Sequence, residues 1–374
     1  MDVIKADSIF SLTNGLAKEF SSPFALEKYQ KEKRLHENNA WKRQGSETDQ
    51  MSMMSRGMLW GGRAAQGPPR KPRMRYVQQV KNRRYYVLEL SRACGMFYFD
   101  IDKEEEVRLF HREVFSPRGF HVDDNFGIVT TASDEDTSVH IVHLDPDGRQ
   151  VKQLTSGDCI DENPYFHKGS IFYQSSGIAR TEQGIPVMFA PAEILQLNLE
   201  SGSIQPVKSY PAHDCILPKV DAEGSIYYIK APYQNGQVSI GTRLLDVVLF
   251  PFRLASAVFA FLDMFSMFFT KRPLKTGGGP NLGEMDLTHR LVHNRVVNIQ
   301  KTMRREGKKV AAPKDWKLIR LKNGTEEELA SNVVWYDITP EGRVIHTDGF
   351  TVFDADRKKV YESEELISCV AAGG

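Results

Sequence analysis

The 374 residues carry 41% hydrophobic and 26% charged side chains and a formal net charge of +1. That is ample apolar material for a core, and the balance of charge excludes a whole-molecule field that would draw nucleic acid. Four cysteines, Cys94, Cys159, Cys215 and Cys369, are too few and too scattered for a disulfide scaffold or a paired-cysteine zinc site.

The opening "MDVIKADSIFSLTNG" lacks a basic stretch followed by an apolar one, so we expect no secretory signal and a reducing cytoplasm. Residues 1–72 differ in texture from the rest. Ser22, with Pro23 in the first helical position, opens a charged helix, and a Gly-, Pro-, Ser- and Met-rich stretch then reads as an extended arm. From residue 73 onward, short β runs alternate with polar turns, including "DKEE", "DPDG", "ESGS" and "NGT". They recur with a period of roughly 40–50 residues, four strands each, the signature of propeller blades.

Three passes can be laid on one another: "CIDENPYFHKGSIFYQSS", "CILPKVDAEGSIYYIKA" and "NVVWYDITPEGRVIHTDG". Gly169, Gly224 and Gly342 share one turn position, where a positive φ favours glycine; on this alignment Cys159 and Cys215 are equivalent, small buried thiols in neighbouring blades. The stretch "LTSGDCIDENPYFHKGSIFYQSS" resembles the TolB-like, WD40-like propeller repeat in Leu154, Thr155, Asp161, Pro164, Gly169, Ile171 and Ser175. It departs from that pattern at Tyr165-Phe166-His167-Lys168, where the family has Trp-Ser-Pro-Asp. The resemblance covers 74–374 as architecture and is motif-specific in one blade. It implies an all-β propeller and contact between proteins; TolB itself works in the periplasm, which the missing signal does not match. Five four-strand passes are visible, and "LISCVAAGG" adds one inner strand. Because an open blade leaves unpaired edges, we expect that strand to pair with N-terminal residues in a composite sixth blade, with five blades as the alternative.

The fourth blade is interrupted. Residues 236–312 intervene where a hairpin needs 2–5 residues, and they include "RLLDVVLFPFRLASAVFAFLDMFSMFFTKR". Arg243, Asp246, Arg253, Asp263 and the helix-breaking Pro251 exclude a simple membrane span. On a helical wheel Arg253, Ser256, Asp263, Ser266 and Thr270 occupy an arc of about 140°. Leu254, Val258, Phe261, Leu262, Phe265, Phe268 and Phe269 fill the remainder. After a Gly-rich hinge, a second amphipathic helix is expected over 284–307, carrying Arg290, Arg295, Arg304 and Arg305. Residues 241–315 hold 13 Lys/Arg against six Asp/Glu, leaving the rest of the chain at −6. An apolar helix beside a basic one suits an anionic membrane surface. A protein partner, a homodimer or the chain's own propeller are the other occupants weighed.

At the channel mouth, loops before inner strands offer His121, Asp123 and Asp124, then Asp158, Asp161 and Glu162, then His213 and Asp214. Converging acids and histidines can bind a divalent cation or act as acid and base; the same residue types also form turns. No nucleophile elbow, phosphate loop or dinucleotide fingerprint occurs. The expected function is a non-enzymatic protein-interaction platform docked at the inner membrane face, without a resident cofactor and without nucleic acid. A hydrolase or lyase using the channel-mouth residues is the alternative.

Overall fold

Short alternating runs with tight turns build antiparallel meanders, and consecutive meanders pack face to face around a common axis. The computed structural model describes residues 1–13, 16–38, 71–90, 93–112, 117–125, 127–133, 138–233, 289–292 and 295–373. The apolar stretch 243–270 and the Gly- and Met-rich arm over 39–70 lie outside the described residues.

The chain opens with β1 (Asp2–Lys5), β2 (Ser8–Thr13) and β3 (Leu16–Phe20), and its last strand, β27 (Ile367–Ala371), pairs with β1 in the order β27-β1-β2-β3. A helix, α1 (Pro23–Asn38), follows. The second sheet is β4 (Arg73–Val80), β5 (Arg83–Glu89), β6 (Cys94–Asp100) and β7 (Glu105–Arg112). The third set is β8 (Phe120–Val122), β9 (Ile128–Ser133), β10 (Val139–Leu144) and β11 (Gln150–Gln153). The fourth comprises β12 (Cys159–His167), β13 (Ser170–Arg180), β15 (Glu193–Asn198) and β16 (Ile204–Lys208), with β14 (Pro186–Phe189) added to the far end of β13. One parallel pair, Val139↔Ile160, joins the third and fourth sets into a single sheet. The fifth sheet is β17 (His213–Val220), β18 (Ile226–Pro232), β21 (Lys317–Lys322) and β22 (Thr325–Ser331). Between β18 and β21 lie a hairpin, β19 (His289–Val292) with β20 (Arg295–Asn298), and a helix, α2 (Ile299–Glu306). The sheet of β23 (Trp335–Ile338), β24 (Val344–Thr347), β25 (Thr351–Phe353) and β26 (Lys359–Glu362) completes the meanders. The fold is an all-β propeller.

Apolar layers between consecutive sets hold it together. Val80, Tyr85 and Met96 of the second sheet meet Val122, Ile128 and Val142 of the third. Val129 and Ile141 meet Ile171 and Tyr173 of the fourth, and Ile194 meets Cys215 and Tyr228 of the fifth. The turn glycines Gly169, Gly224 and Gly342 take φ of 76°, 89° and 77°.

Three inner strands share a bulge that the sequence did not announce. Tyr76, Asn163 and Leu217 take φ of 52°, 50° and 58° where the pairing of β4, β12 and β17 with the next strand slips. A β-bulge turns backbone groups away from the ladder, here toward the neighbouring sheet. Asn163 N donates to Arg118 O at 3.0 Å. Leu217 N donates to Gln174 Oε1 at 2.9 Å, and Leu217 O accepts from the Tyr336 hydroxyl at 2.6 Å. The Gln78 amide bonds both N and O of Val122 at 2.9 Å, and Ala372 N donates to Asp337 Oδ2 at 2.7 Å. These bonds step from one inner strand to the next around the axis. Aligned at the bulge, Cys215 falls at the place of Asp161, two residues from the equivalence with Cys159 expected from the sequence.

Two expectations need correction. Residues 1–72 are more than the helix and extended arm expected of them: residues 2–20 hold three strands of the closing sheet, and the helix then starts where Ser22 predicts, its Oγ accepting from Ala25 N at 3.1 Å. The basic helix expected over 284–307 is a helix only from Ile299; before it, β19 and β20 pair as a hairpin. Val292, Val296 and Val297 explain this, since β-branched side chains are stiff in a helix and fit a pleated ladder. The end of the insertion belongs to the main core, where Val297, Ile299, Val310, Ala311, Ala312 and Trp316 are buried.

Candidate functional site

The eight residues singled out at the channel mouth separate into distinct environments. Asp123 and Asp124 follow β8 instead of preceding it, because that strand has only three residues before its turn. Asp123 Oδ1 accepts from Asn125 N and Gly127 N at 2.9 and 2.8 Å, and Asp124 O accepts from Lys81 Nζ at 2.7 Å. His121 lies deeper, its ring 4.1 Å from that of Tyr165, with Nδ1 accepting from Phe166 N at 3.3 Å. Burial pushes its imidazole down to about 3, with the Lys219 and His167 cations acting in the same direction.

The start of β12 is denser. Asp158 is exposed and accepts from Arg180 Nε at 2.7 Å. Glu162 accepts from Arg118 at 2.8 Å and from the Gln174 amide at 2.7 Å. Asp161 is only 1% exposed. Its Oδ2 accepts from the Thr155 hydroxyl at 2.5 Å, and that Oγ1 accepts from Ile141 N at 2.9 Å. His140 and Cys159 complete this neighbourhood, with Cys159 Sγ 3.5 Å from Asp161 Oδ2. Burial raises the Asp161 carboxyl against the opposing Thr155 and Ser175 hydroxyls, and burial followed by the Asp161 charge pushes the Cys159 thiol up to about 12. On β17, Asp214 accepts from Ala192 N at 2.7 Å, and the ring of His213 lies 5.9 Å from that of Tyr210.

The carboxylates of Asp123, Asp158, Asp161, Glu162 and Asp214 thus each have a donor that fixes them, the geometry of turns and sheet-to-sheet ties. The axis carries charges that motif reasoning missed: Lys219 Nζ is 2.5 Å from Asp337 Oδ1. The repeated X-Pro of Asn163-Pro164 and Leu217-Pro218 is the signal that could have located the bulges beside them.

A second feature rises at the same end. β13 runs past its pairing with β15 and forms a hairpin with β14, Ile178 opposite Phe189 and Ala179 opposite Met188. Ile185, Val187, Met188 and Phe189 are 60%, 62%, 51% and 45% exposed. Arg180 anchors the hairpin through Asp158, Ser138 and Gly184 O. The Tyr233 hydroxyl, at the root of the insertion, donates to the carbonyl of Phe189.

Of the partner-contact residues expected from the insertion, Leu254, Val258, Phe261, Leu262, Phe265, Phe268 and Phe269 lie outside the described residues. Arg290 is in β19, Arg295 in β20, and Arg304 and Arg305 are exposed on α2. No helix among the described residues is long and apolar enough to cross a membrane.

No family model matches the chain, and no curated protein matches it. Solved structures do resemble its fold. TolB from Acinetobacter baumannii aligns at 10% identity with a TM-score of 0.43, over 80% of this chain and 58% of that one. A putative TolB from Agrobacterium tumefaciens aligns at 9% identity and a TM-score of 0.43, over 81% and 85%. Tricorn protease aligns at 12% identity and 0.42, over 79% of this chain and 31% of that one. The chain spans less than two thirds of the Acinetobacter TolB and about a third of the tricorn protease it matches.

Proposed function

We propose that the protein is a non-enzymatic interaction platform that binds a protein partner at the end of the propeller where the inner strands begin. The observation that carries this is the β13–β14 hairpin. Four neighbouring residues expose large apolar side chains there, a grouping that commonly marks an interaction surface. Among the described residues β14 pairs only with β13, so its other edge offers backbone groups to an extended, apolar-rich segment of a partner. The fixed acids around Asp161 and Asp214 favour this reading over a hydrolase or lyase.

Docking at the inner face of a membrane is the finer part of the proposal. Its support is the aromatic composition of 243–270 and the exposed cations Arg304 and Arg305 of α2, which suit anionic headgroups. A photocross-linking residue at Val187, compared with one at the equally exposed Val151 of β11, tests the platform. We expect a discrete adduct from position 187 alone, to a protein that then binds the purified chain and fails to bind its Met188→Asp/Phe189→Asp variant. Equal adducts from both positions would overturn the platform, and adducts to a second copy would make the partner the chain itself. Flotation with anionic vesicles tests the membrane part: Phe261→Asp/Phe265→Asp should sink while the parent floats.

A further inference from the structure

We propose that His140, Cys159 and Asp161 form a site for a thiophilic divalent cation of the zinc class, set between the third and fourth strand sets. Cys159 Sγ lies 3.5 Å from Asp161 Oδ2 and 3.9 Å from His140 Nδ1, and that nitrogen lies 4.0 Å from the same oxygen. A point equidistant from the three is about 2.2 Å from each, inside the roughly 2.0–2.3 Å span of zinc bonds to nitrogen, oxygen and sulfur. One imidazole, one thiol and one carboxylate is a donor set that zinc accepts, whereas calcium and magnesium take oxygen ligands. Three protein ligands leave a fourth position for water, and the partial exposure of Cys159 opens the site to solvent.

Two further observations separate this site from an ordinary turn. Asp161 Oδ1 is buried and has no hydrogen-bond partner among the described residues, so this carboxylate keeps unused acceptor capacity, and Oδ2, the oxygen that faces Cys159 and His140, is oriented by the Thr155 hydroxyl. The repeat itself does not ask for a carboxylate there. Counted from the bulge, the same place holds Met74 in β4 and Cys215 in β17, both buried. The fourth set therefore places an ionisable group where its neighbours place apolar ones, and brings His140 to it from the adjacent set. Binding would replace the thiol S–H bond with a sulfur–metal bond and release that proton to solvent. The tie would clamp β10 to β12, which share the single backbone pair Val139↔Ile160.

Cobalt(II) titration of the full, chelator-treated chain tests the site. One equivalent should produce a thiolate-to-cobalt charge-transfer absorption that zinc displaces, absent in Cys159→Ser and at least tenfold weaker in affinity in His140→Gln. A second measurement needs no variant. Cys159 is the one cysteine of the four that is not buried, so zinc should slow its alkylation at least tenfold and a chelator should restore it. A band that persists in Cys159→Ser, or alkylation indifferent to zinc in the parent chain, would overturn the proposal.

Discussion

Glu106 is a surface residue by sequence and a junction by structure. Its carboxylate accepts from the hydroxyls of Ser22 and Tyr86 and, at 2.8 Å, from Phe24 N, so one side chain of β7 caps α1 and fixes the helix against the second sheet. Glu106→Ala should cost about 2–3 kcal/mol, because a helix cap is lost and the Tyr86 hydroxyl is left buried without its acceptor; urea unfolding of the variant measures it. His346 sets an acid limit. Its ring is buried and stacked on Phe353 at 5.1 Å, and burial with the nearby Arg357 cation pushes the imidazole down to about 4. The folded state thus resists protonation that the unfolded chain accepts from about pH 6.5. The stability this group contributes is present above that pH and is lost as pH falls toward 4, by up to about 1.4 kcal/mol per unit. His346→Gln should flatten the decline of Tm between pH 6.5 and 4.

Among the elements, β27 and the insertion make opposite demands. β27 pairs with β1 through Asp2↔Ala371, Val3↔Val370 and Ile4↔Cys369, and Val3, Ile4, Ile367 and Val370 are almost fully buried. Removing residues 366–373 uncovers that layer and frees the edge of β1; we expect Tm to fall by more than 10 °C, read by calorimetry, or folding to fail. The insertion is not uniformly expendable. A deletion that ends at residue 286 spares the buried Ile299, Ala311 and Ala312, and one that runs to 312 removes them. The longer deletion should be less stable than the shorter by several kcal/mol, since buried apolar side chains contribute about 1.5–3 kcal/mol each. The register of turns was legible because Gly169, Gly224 and Gly342 stand at fixed spacing before strands. The hairpin at 289–298 was not legible as one, because Val292, Val296 and Ile299, four and three residues apart, satisfy a helical period. Only the β-branched side chains distinguished the two.

For the whole molecule, the sequence carried the architecture and much less of the site. The need to cover a free edge predicted that the last strand would meet the first residues, and β27 does pair with β1. What holds neighbouring sheets to one another was hidden, because Gln78, Gln174, Tyr336 and Asp337 act across distances that no local pattern encodes. His140 was invisible for the same reason: it reaches Cys159 and Asp161 from a different strand set, and nothing in "SVHIVHL" marks which of its histidines turns inward.

The pairing of β1 with β27 also has a history in time. Ser368 Oγ reaches the carbonyl of Ile4 across 364 positions of chain. At about 5–20 residues per second of synthesis, β1 leaves the ribosome roughly twenty seconds or more before its partner exists. For that interval Val3 and Ile4 offer an apolar, half-paired strand to whatever is nearby, including the nascent chain of a following ribosome. A stalled chain ending near residue 360 should therefore be readily cut by protease within residues 1–20, and release of the full chain should protect them. The ring cannot close until β27 has been made, and β1 spends the whole of that interval waiting.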